Sequence, residues 1–291
     1  MSASRRGLAA LAIITAAVTA GTTVAAPAAF AATVHGTAKV SGTTVTFVSA
    51  SGKANMIHVT RSGRTVTIDG YGSWAIKAGA GCKRVSGDKT KVKCTTKKAT
   101  KLLKVNFSSK SDWLYNETSL PVIAYGGAGS DTLQSKGGAD KMYGGPGDDD
   151  LMAGNGANVL YGEAGKDNLY GGSGADRLYG GPGDDGLRGL GGNDIMSDES
   201  GMNYFDGGAG NDTLYGGTGN DNLSGGTGND IAYGNGGTDT LRGGDGDDRL
   251  YSSPSSADAL REHIYGGTNV TSSPGDICTA AGTVTDCETL V

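Results

Sequence analysis

From Gly126 to Tyr251 the sequence repeats every nine residues without insertion or deletion, which gives fourteen consecutive copies. With Gly126 as position one, position four is glycine in all fourteen copies. Position six is Asp in twelve copies and Asn in two, and position eight is Leu, Met or Phe in thirteen, with Ala232 as the exception. Flexible glycine-rich linkers do not keep an apolar residue in phase over such a length. The period therefore predicts a stacked repeat structure.

The residue types indicate how one copy folds. Glycines at positions one, two and four let the backbone take positive φ and turn tightly, and no Cβ blocks carbonyl groups that point inward. The last three residues predict a short strand whose position-eight side chain, such as Leu169 or Leu178, points into the core. Successive coils are then expected about 4.8 Å apart, the ordinary spacing of paired strands.

Copies such as GGAGSDTLQ, GGSGADRLY, GGAGNDTLY and GGTGNDNLS resemble the hemolysin-type, or RTX, calcium-binding repeat. The resemblance implies an all-β fold with a parallel β-roll, in which two nonapeptides form one coil and fourteen copies form about seven coils. It also implies Ca²⁺ bound between stacked GGxGxD turns. The whole arrangement, from the N-terminal leader to the DCE tail, is similar to small secreted calcium-binding proteins of actinobacteria.

Stacking places the position-six residues of alternate copies in two ladders. Neighbouring carboxylates in a ladder repel by roughly 3 kcal/mol at an effective dielectric of 20, so the roll without cations is predicted to be marginal or unfolded. A divalent cation bound between turns attracts both carboxylates and so removes the repulsion between them. Calcium fits best, because magnesium demands strict octahedral geometry and zinc prefers histidine and thiolate ligands. Four gaps in each ladder have Asp on both sides, which predicts roughly eight or more ions.

The predicted metal ligands are the position-six aspartates and a set of position-four glycines. They are Asp131, Asp140, Asp149, Asp167, Asp176, Asp185, Asp194, Asp212, Asp221, Asp230, Asp239 and Asp248, with Gly129, Gly147, Gly165, Gly174, Gly183, Gly192, Gly210, Gly219 and Gly228. Asn158 and Asn203 are predicted to give weaker metal sites, because asparagine keeps a carbonyl oxygen but loses the charge. The turns SKGGAD, DESGMN and GNGGTD, which lack some of the glycines, are also expected to bind more weakly.

Three further segments surround the repeats. Residues 1–31 combine Arg5 and Arg6, an apolar run and a small-residue site, which predicts a signal peptide and a secreted, extracellular protein. Residues 32–125 contain short alternating runs that predict a basic, β-rich N-terminal region. Residues 252–291 predict a degenerate repeat and a C-terminal cap. No later stretch approaches the roughly 20 apolar residues of a transmembrane helix, and the oligomeric state is left open.

The four cysteines fall in two close pairs on opposite sides of the repeats. We predict local disulfides between Cys82 and Cys94 and between Cys278 and Cys287, the second within the C-terminal cap. A four-thiolate zinc site is the rival interpretation, and the lack of any C-x-x-C spacing counts against it.

Charge is distributed unevenly along the chain. Residues 32–125 carry 15 Lys and Arg against 4 Asp and Glu, whereas residues 126–251 carry 7 against 21. The basic stretch from Cys82 to Lys104 has no interleaved aromatic residues, so nucleic-acid binding is not expected. It is interpreted as a solvated face that offsets the acidic roll. The sharper hypothesis is that it binds an anionic cell-envelope polymer or surface.

Catalytic signatures are absent from the sequence outside the repeats. The histidines are His35, His58 and His263, with no H-E-x-x-H, and no serine lies in a G-x-S-x-G motif. The sequence therefore predicts a non-enzymatic calcium-binding protein. The alternative is a calcium-stiffened surface adhesion or interaction protein tethered by its basic N-terminal region. Tyrosine at position nine of seven copies is interpreted as strand-end packing.

Overall fold

The computed structural model describes residues 34–72 and 74–252 and four further strands between residues 263 and 290. All regular elements in these ranges are β-strands, and the described residues contain no helix that could cross a membrane. The predicted signal peptide lies outside the described residues, as does the tail between and beyond the four last strands.

The strands follow one another in chain order. Ten strands, β1–β10, precede Gly126: Val34–Ser41, Thr44–Ser49, Met56–Ser62, Thr65–Gly70, Ala75–Ala78, Cys82–Val85, Asp88–Thr95, Leu102–Asn106, Trp113–Asn116 and Val122–Tyr125. Fourteen strands, β11–β24, belong to the repeats: Thr132–Ser135, Lys141–Pro146, Asp150–Met152, Val159–Ala164, Asn168–Ser173, Arg177–Tyr179, Gly186–Gly191, Ile195–Ser197, Tyr204–Ala209, Thr213–Tyr215, Asn222–Thr227, Ile231–Asn235, Thr240–Asp245 and Arg249–Ser252. The last four, β25–β28, are His263–Thr268, Ile277–Thr279, Thr283–Thr285 and Thr289–Leu290.

These strands form two 14-stranded sheets. From β8 onward the even-numbered strands lie in one sheet and the odd-numbered strands in the other, and each strand pairs in parallel with the strand two places later. Within the repeats the paired residues are two nonapeptides apart, as Leu160 and Leu178 are. Two nonapeptides therefore make one coil, and the structure is a parallel β-solenoid of about eight turns, close to the expected seven.

Position eight forms the core of the solenoid. The side chains at this position are fully buried in every copy, including the small Ala232. The residues on either side of position eight point outward, as the period of two along a strand requires. On the outer face of one sheet Tyr125, Tyr143, Tyr161 and Tyr179 stack ring on ring, with centroids 4.7–4.9 Å apart. Stacking of this kind supports the interpretation of these tyrosines as strand-end packing.

The N-terminal region begins both sheets. β1 and β2 form an antiparallel hairpin, as do β3 and β4, and β7 and β6 extend the second sheet. β2 then pairs in parallel with β8, and β3 with β9, so the hairpins continue directly into the solenoid. They close the end of the first coil, which would otherwise expose its core and its sheet edges.

Cys82 and Cys94 lie directly opposite each other on β6 and β7 and form a disulfide. This confirms the predicted local pairing and excludes a zinc site that uses all four thiolates. The described disulfide thus lies in the N-terminal part of the chain and not in a C-terminal cap. The second predicted pair, Cys278 with Cys287, involves side chains outside the described residues.

Candidate metal centre

Each position-six side chain is held by the coil that precedes it. Oδ1 of Asp149 accepts a hydrogen bond from the backbone N–H of Asp131 at 2.7 Å, and Oδ1 of Asp167 accepts one from Asp149 at 2.7 Å. The same bond recurs through the repeats with N···O distances of 2.7–2.9 Å. The two predicted ladders are therefore present, and a backbone hydrogen bond fixes one oxygen of each carboxylate.

The second carboxylate oxygen faces into the turn. Oδ2 is buried and has no hydrogen-bond partner in Asp131, Asp149, Asp167, Asp194, Asp212, Asp230 and Asp239. Burial is the main reason that the pKa of Asp149 is raised to about 8 and that of Asp167 to about 7, and neighbouring carboxylates contribute less. Desolvation of single carboxylates, more than repulsion along the ladder, is thus the principal electrostatic cost of the roll without cations.

Glycine at position one, present in eleven copies, leaves room for the carboxylate of the same copy. A Cβ at Gly126 would overlap Oδ2 of Asp131 and would lie 2.6 Å from the carbonyl oxygen of Gly144 in the next coil. Position one does not adopt positive φ, contrary to the expectation from the sequence. Positions two and four do, as Gly145 (φ 115°) and Gly147 (φ 139°) show. The position-four glycines take φ of 122–154° in all copies.

Asn158 shows which carbonyl groups converge on the turn. Its Oδ1 accepts the ladder hydrogen bond from Asp140, so the amide nitrogen takes the place of the free carboxylate oxygen. Nδ2 donates to the carbonyl oxygens of Gly154 at 3.3 Å, Gly156 at 2.8 Å and Gly171 at 3.1 Å. Positions two and four of one copy and position one of the next coil therefore aim their carbonyl oxygens at one point. We call this point, with the position-six side chain that faces it, the turn cage.

The turn cage of an aspartate copy offers only oxygen atoms. One carboxylate oxygen faces several carbonyl oxygens and no buried donor, so the arrangement lacks a positive charge at its centre. In the described part of the chain no group of three or more His, Cys, Asp or Glu side chains could hold a metal ion. Main-chain carbonyl groups would therefore supply most ligands, as calcium accepts and zinc does not. The residues present fit Ca²⁺.

The two asparagines are placed differently from the expectation. Their carbonyl oxygens serve the ladder, and Nδ2 of Asn203 donates to the carbonyl oxygen of Gly216 at 3.4 Å. Both asparagine copies also lack glycine at position one, where they have Ala153 and Asp198. A donor group thus points into these two turn cages, in place of the oxygen ligand assumed from the sequence.

Two ladder residues lie before the repeats and were missed by the sequence analysis. Oδ1 of Asp112 accepts hydrogen bonds from the backbone N–H and Nδ2 of Asn55, and the N–H of Asp112 donates to Asp131 at 2.6 Å. Asp112 is buried, and desolvation raises its pKa to about 7. Its signal is the run DWLY, which matches positions six to nine of a copy such as KDNLY. Lys110 takes the place of the position-four glycine, with φ 74°.

Comparison with known families agrees with this geometry. The family model for the RTX calcium-binding nonapeptide repeat matches four consecutive segments, residues 125–160, 161–196, 197–232 and 233–253. Residues 125–253 are RTX-type calcium-binding repeats. No curated protein and no solved structure matches it significantly. The RTX match covers the ladders from Asp131 to Asp248, whereas Asp112 and Asn55 lie outside it.

Proposed function

We propose that this RTX protein is secreted and non-catalytic, and that it folds around calcium ions held in its turn cages. The observation that carries the proposal is the set of buried Oδ2 atoms that have no hydrogen-bond partner and face carbonyl oxygens. An ion that binds only the folded state stabilises it by mass action. Calcium outside the cell would therefore drive the roll to fold after export.

The ligands we propose are the position-six aspartates together with carbonyl groups of the turn glycines, with roughly eight or more ions in total. In each cage the carboxylate would supply the charge and the carbonyl groups would complete the coordination shell. The ladder hydrogen bond on Oδ1 orients the carboxylate before the ion arrives. This pre-orientation lowers the entropic cost of binding the ion.

The deciding experiment is far-UV circular dichroism of the mature chain during a calcium titration that begins from chelated protein. We expect a steep gain of β signal with calcium and a much smaller response to the same concentrations of magnesium. As a matched pair, Asp149→Asn removes a cage carboxylate and Asp150→Asn removes an exposed one beside it. Only the first should raise the calcium concentration at the midpoint. A signal that is indifferent to calcium would refute the proposal.

A second candidate function is attachment to an anionic polymer through the N-terminal region. The observation that favours this function is the position of Lys83 on β6, directly opposite Lys93 on β7. Both line the same shallow concavity as Arg84. Like charges opposite each other destabilise a sheet, so an anionic ligand would stabilise this face. Binding of the full chain to polyphosphate should weaken with salt and fall in Lys83→Ala/Lys93→Ala. The control Lys136→Ala/Lys166→Ala should bind as the wild type does.

A further inference from the structure

The ninth copy, residues 198–206, has Asp198 where eleven copies have glycine at position one. Oδ1 of Asp198 accepts a hydrogen bond from the backbone N–H of Ser200 at 3.0 Å, within its own turn. Oδ2 is buried and turns toward the preceding coil. Asp198 is therefore oriented in the same manner as a position-six aspartate, with one oxygen fixed by the backbone and the other directed inward.

The point that Asp198 reaches is the turn cage of Asp185. A Cβ at Gly180 would overlap Oδ2 of both Asp185 and Asp198, so the two oxygens are neighbours. At the equivalent glycines of the three preceding coils, Gly126, Gly144 and Gly162, the neighbours are the aspartate of the same copy and a carbonyl oxygen of the next coil. At Gly180 the atom nearest to the position of an added Cβ is instead Oδ2 of Asp198, a second carboxylate oxygen.

Neither carboxylate has another partner for its inward oxygen. Oδ1 of Asp185 accepts the ladder hydrogen bond from Asp167 at 2.7 Å, and the residue is 2 % exposed. The Oδ2 atoms of both residues are buried without a hydrogen-bond partner, and both lie beside Gly180. Two acids in contact without a base require a shared proton or a cation between them.

We propose that Asp185 and Asp198 together form a site for a divalent cation, Ca²⁺, and that this site binds more tightly than the cages that have no carboxylate at position one. The inference rests on the proposed function and adds to it a ligand that the repeat pattern does not contain. Affinity of oxygen sites for calcium rises with the number of charged ligands. The site lies between the seventh and ninth of fourteen copies, so the first ion would order the middle of the array. Folding of a repeat array can then propagate from there in both directions.

The test uses the full mature chain and Ca²⁺ in competition with a chromophoric chelator, which resolves the tightest bound ion. Asp198→Asn and Asp198→Gly should both lower the affinity for that ion roughly tenfold. Asp198→Gly restores the residue of the other copies and is expected to fold even if Asp198→Asn does not. The control Asp206→Asn removes the same charge from the same copy at position nine, on the outer face of its strand, and should leave the tightest ion unchanged.

The outcomes separate this inference from the proposed function. If the wild type binds calcium but both Asp198 variants titrate as Asp206→Asn does, the two-carboxylate site is refuted and the general proposal stands. If the wild type binds no calcium, both are refuted. Equal loss of affinity in all three variants would indicate a general effect of net charge and would also overturn the site. Circular dichroism at saturating calcium verifies that each variant has the β content of the wild type.

Discussion

The amide nitrogen of Asn158 donates a hydrogen bond to the carbonyl oxygen of Gly156 across 2.8 Å, at the place where aspartate copies present a bare carboxylate oxygen. The amide thus supplies the partial positive charge that the aspartate cages lack. Since its oxygen is held by the N–H of Asp140, the amide cannot rotate to offer an oxygen ligand without breaking that bond.

We expect the Asn158 cage to hold no calcium ion in the wild type. At the position-one glycines an added Cβ would overlap Oδ2 of the aspartate, so with Ala153 retained we expect Asn158→Asp alone to gain none. Ala153→Gly/Asn158→Asp should gain one ion, measured by native mass spectrometry at saturating calcium. Asn158→Ala should leave the ion count unchanged, and a loss of one ion in that variant would contradict the prediction.

The calcium-free protein should be more stable in acid than at neutral pH. Burial raises the pKa of Asp176, Asp221 and Asp230 to about 7 and that of Asp149 to about 8, all from an ordinary 3.8. The folded state therefore binds more protons than the unfolded state from about pH 4 to pH 8, and the free energy of unfolding falls as pH rises through this window. Chelated protein should show more β signal at pH 5 than at pH 8.

In the presence of calcium, the same carboxyl groups should make the free energy of unfolding rise with pH. Ion binding requires deprotonated carboxylates, so the calcium-bound protein should gain stability as pH rises from 5 to 8. Urea unfolding at several pH values, with chelator and with saturating calcium, measures both slopes. Parallel slopes in the two series would show that the cage aspartates do not control folding.

Leu190 occupies position two of its copy with φ 74° and is 51 % exposed. A side chain in this left-handed region costs about 1–2 kcal/mol, of which the greater chain entropy of an unfolded glycine cancels a part. Leu190→Gly should therefore raise the free energy of unfolding by about 0.5–1 kcal/mol. Leu190→Ala keeps the Cβ and should give no such gain in urea unfolding at saturating calcium.

Gly191 and Gly192 are adjacent but should respond in opposite ways to alanine. Gly192 has φ 125°, and a Cβ there would overlap the backbone of Gly174 in the preceding coil. At Gly191 the nearest atom, the carbonyl oxygen of Ala209, lies 3.9 Å away. Gly192→Ala should lower the free energy of unfolding by more than about 3 kcal/mol. Gly191→Ala should be neutral or slightly stabilising, and a similar loss in both would contradict the argument.

The fold could be predicted because the nine-residue period places one apolar side chain, such as Leu169, in each strand and one acid in each turn. The ladders follow from stacking of alternate copies. The role of Gly126 at position one could not be predicted, since close approach of Asp131 and positive φ both require glycine. The orientation of Asn158 was also hidden, because it depends on a hydrogen bond between coils that only the folded chain contains.

The missed residues share a physical cause. Asp112 follows a turn in which Lys110 adopts the left-handed conformation that glycine usually supplies, so a pattern based on glycines passes over it. Asp198 is at a position where the pattern expects no side chain at all. In both cases a residue other than glycine stands at a position where most copies have glycine, so a pattern based on glycines does not identify the acid as a ligand.

The alternation of strands between two sheets limits how such a gene can change in length. Loss of one nonapeptide would transfer every later strand to the opposite sheet and would pair, for example, the tyrosine stack of one face with the mixed side chains of the other. Loss or duplication of two nonapeptides shifts the chain by one whole coil and leaves every neighbour of the same kind. The smallest segment that this solenoid can gain or lose without changing its strand pairing is thus eighteen residues, twice the nine-residue repeat of its sequence.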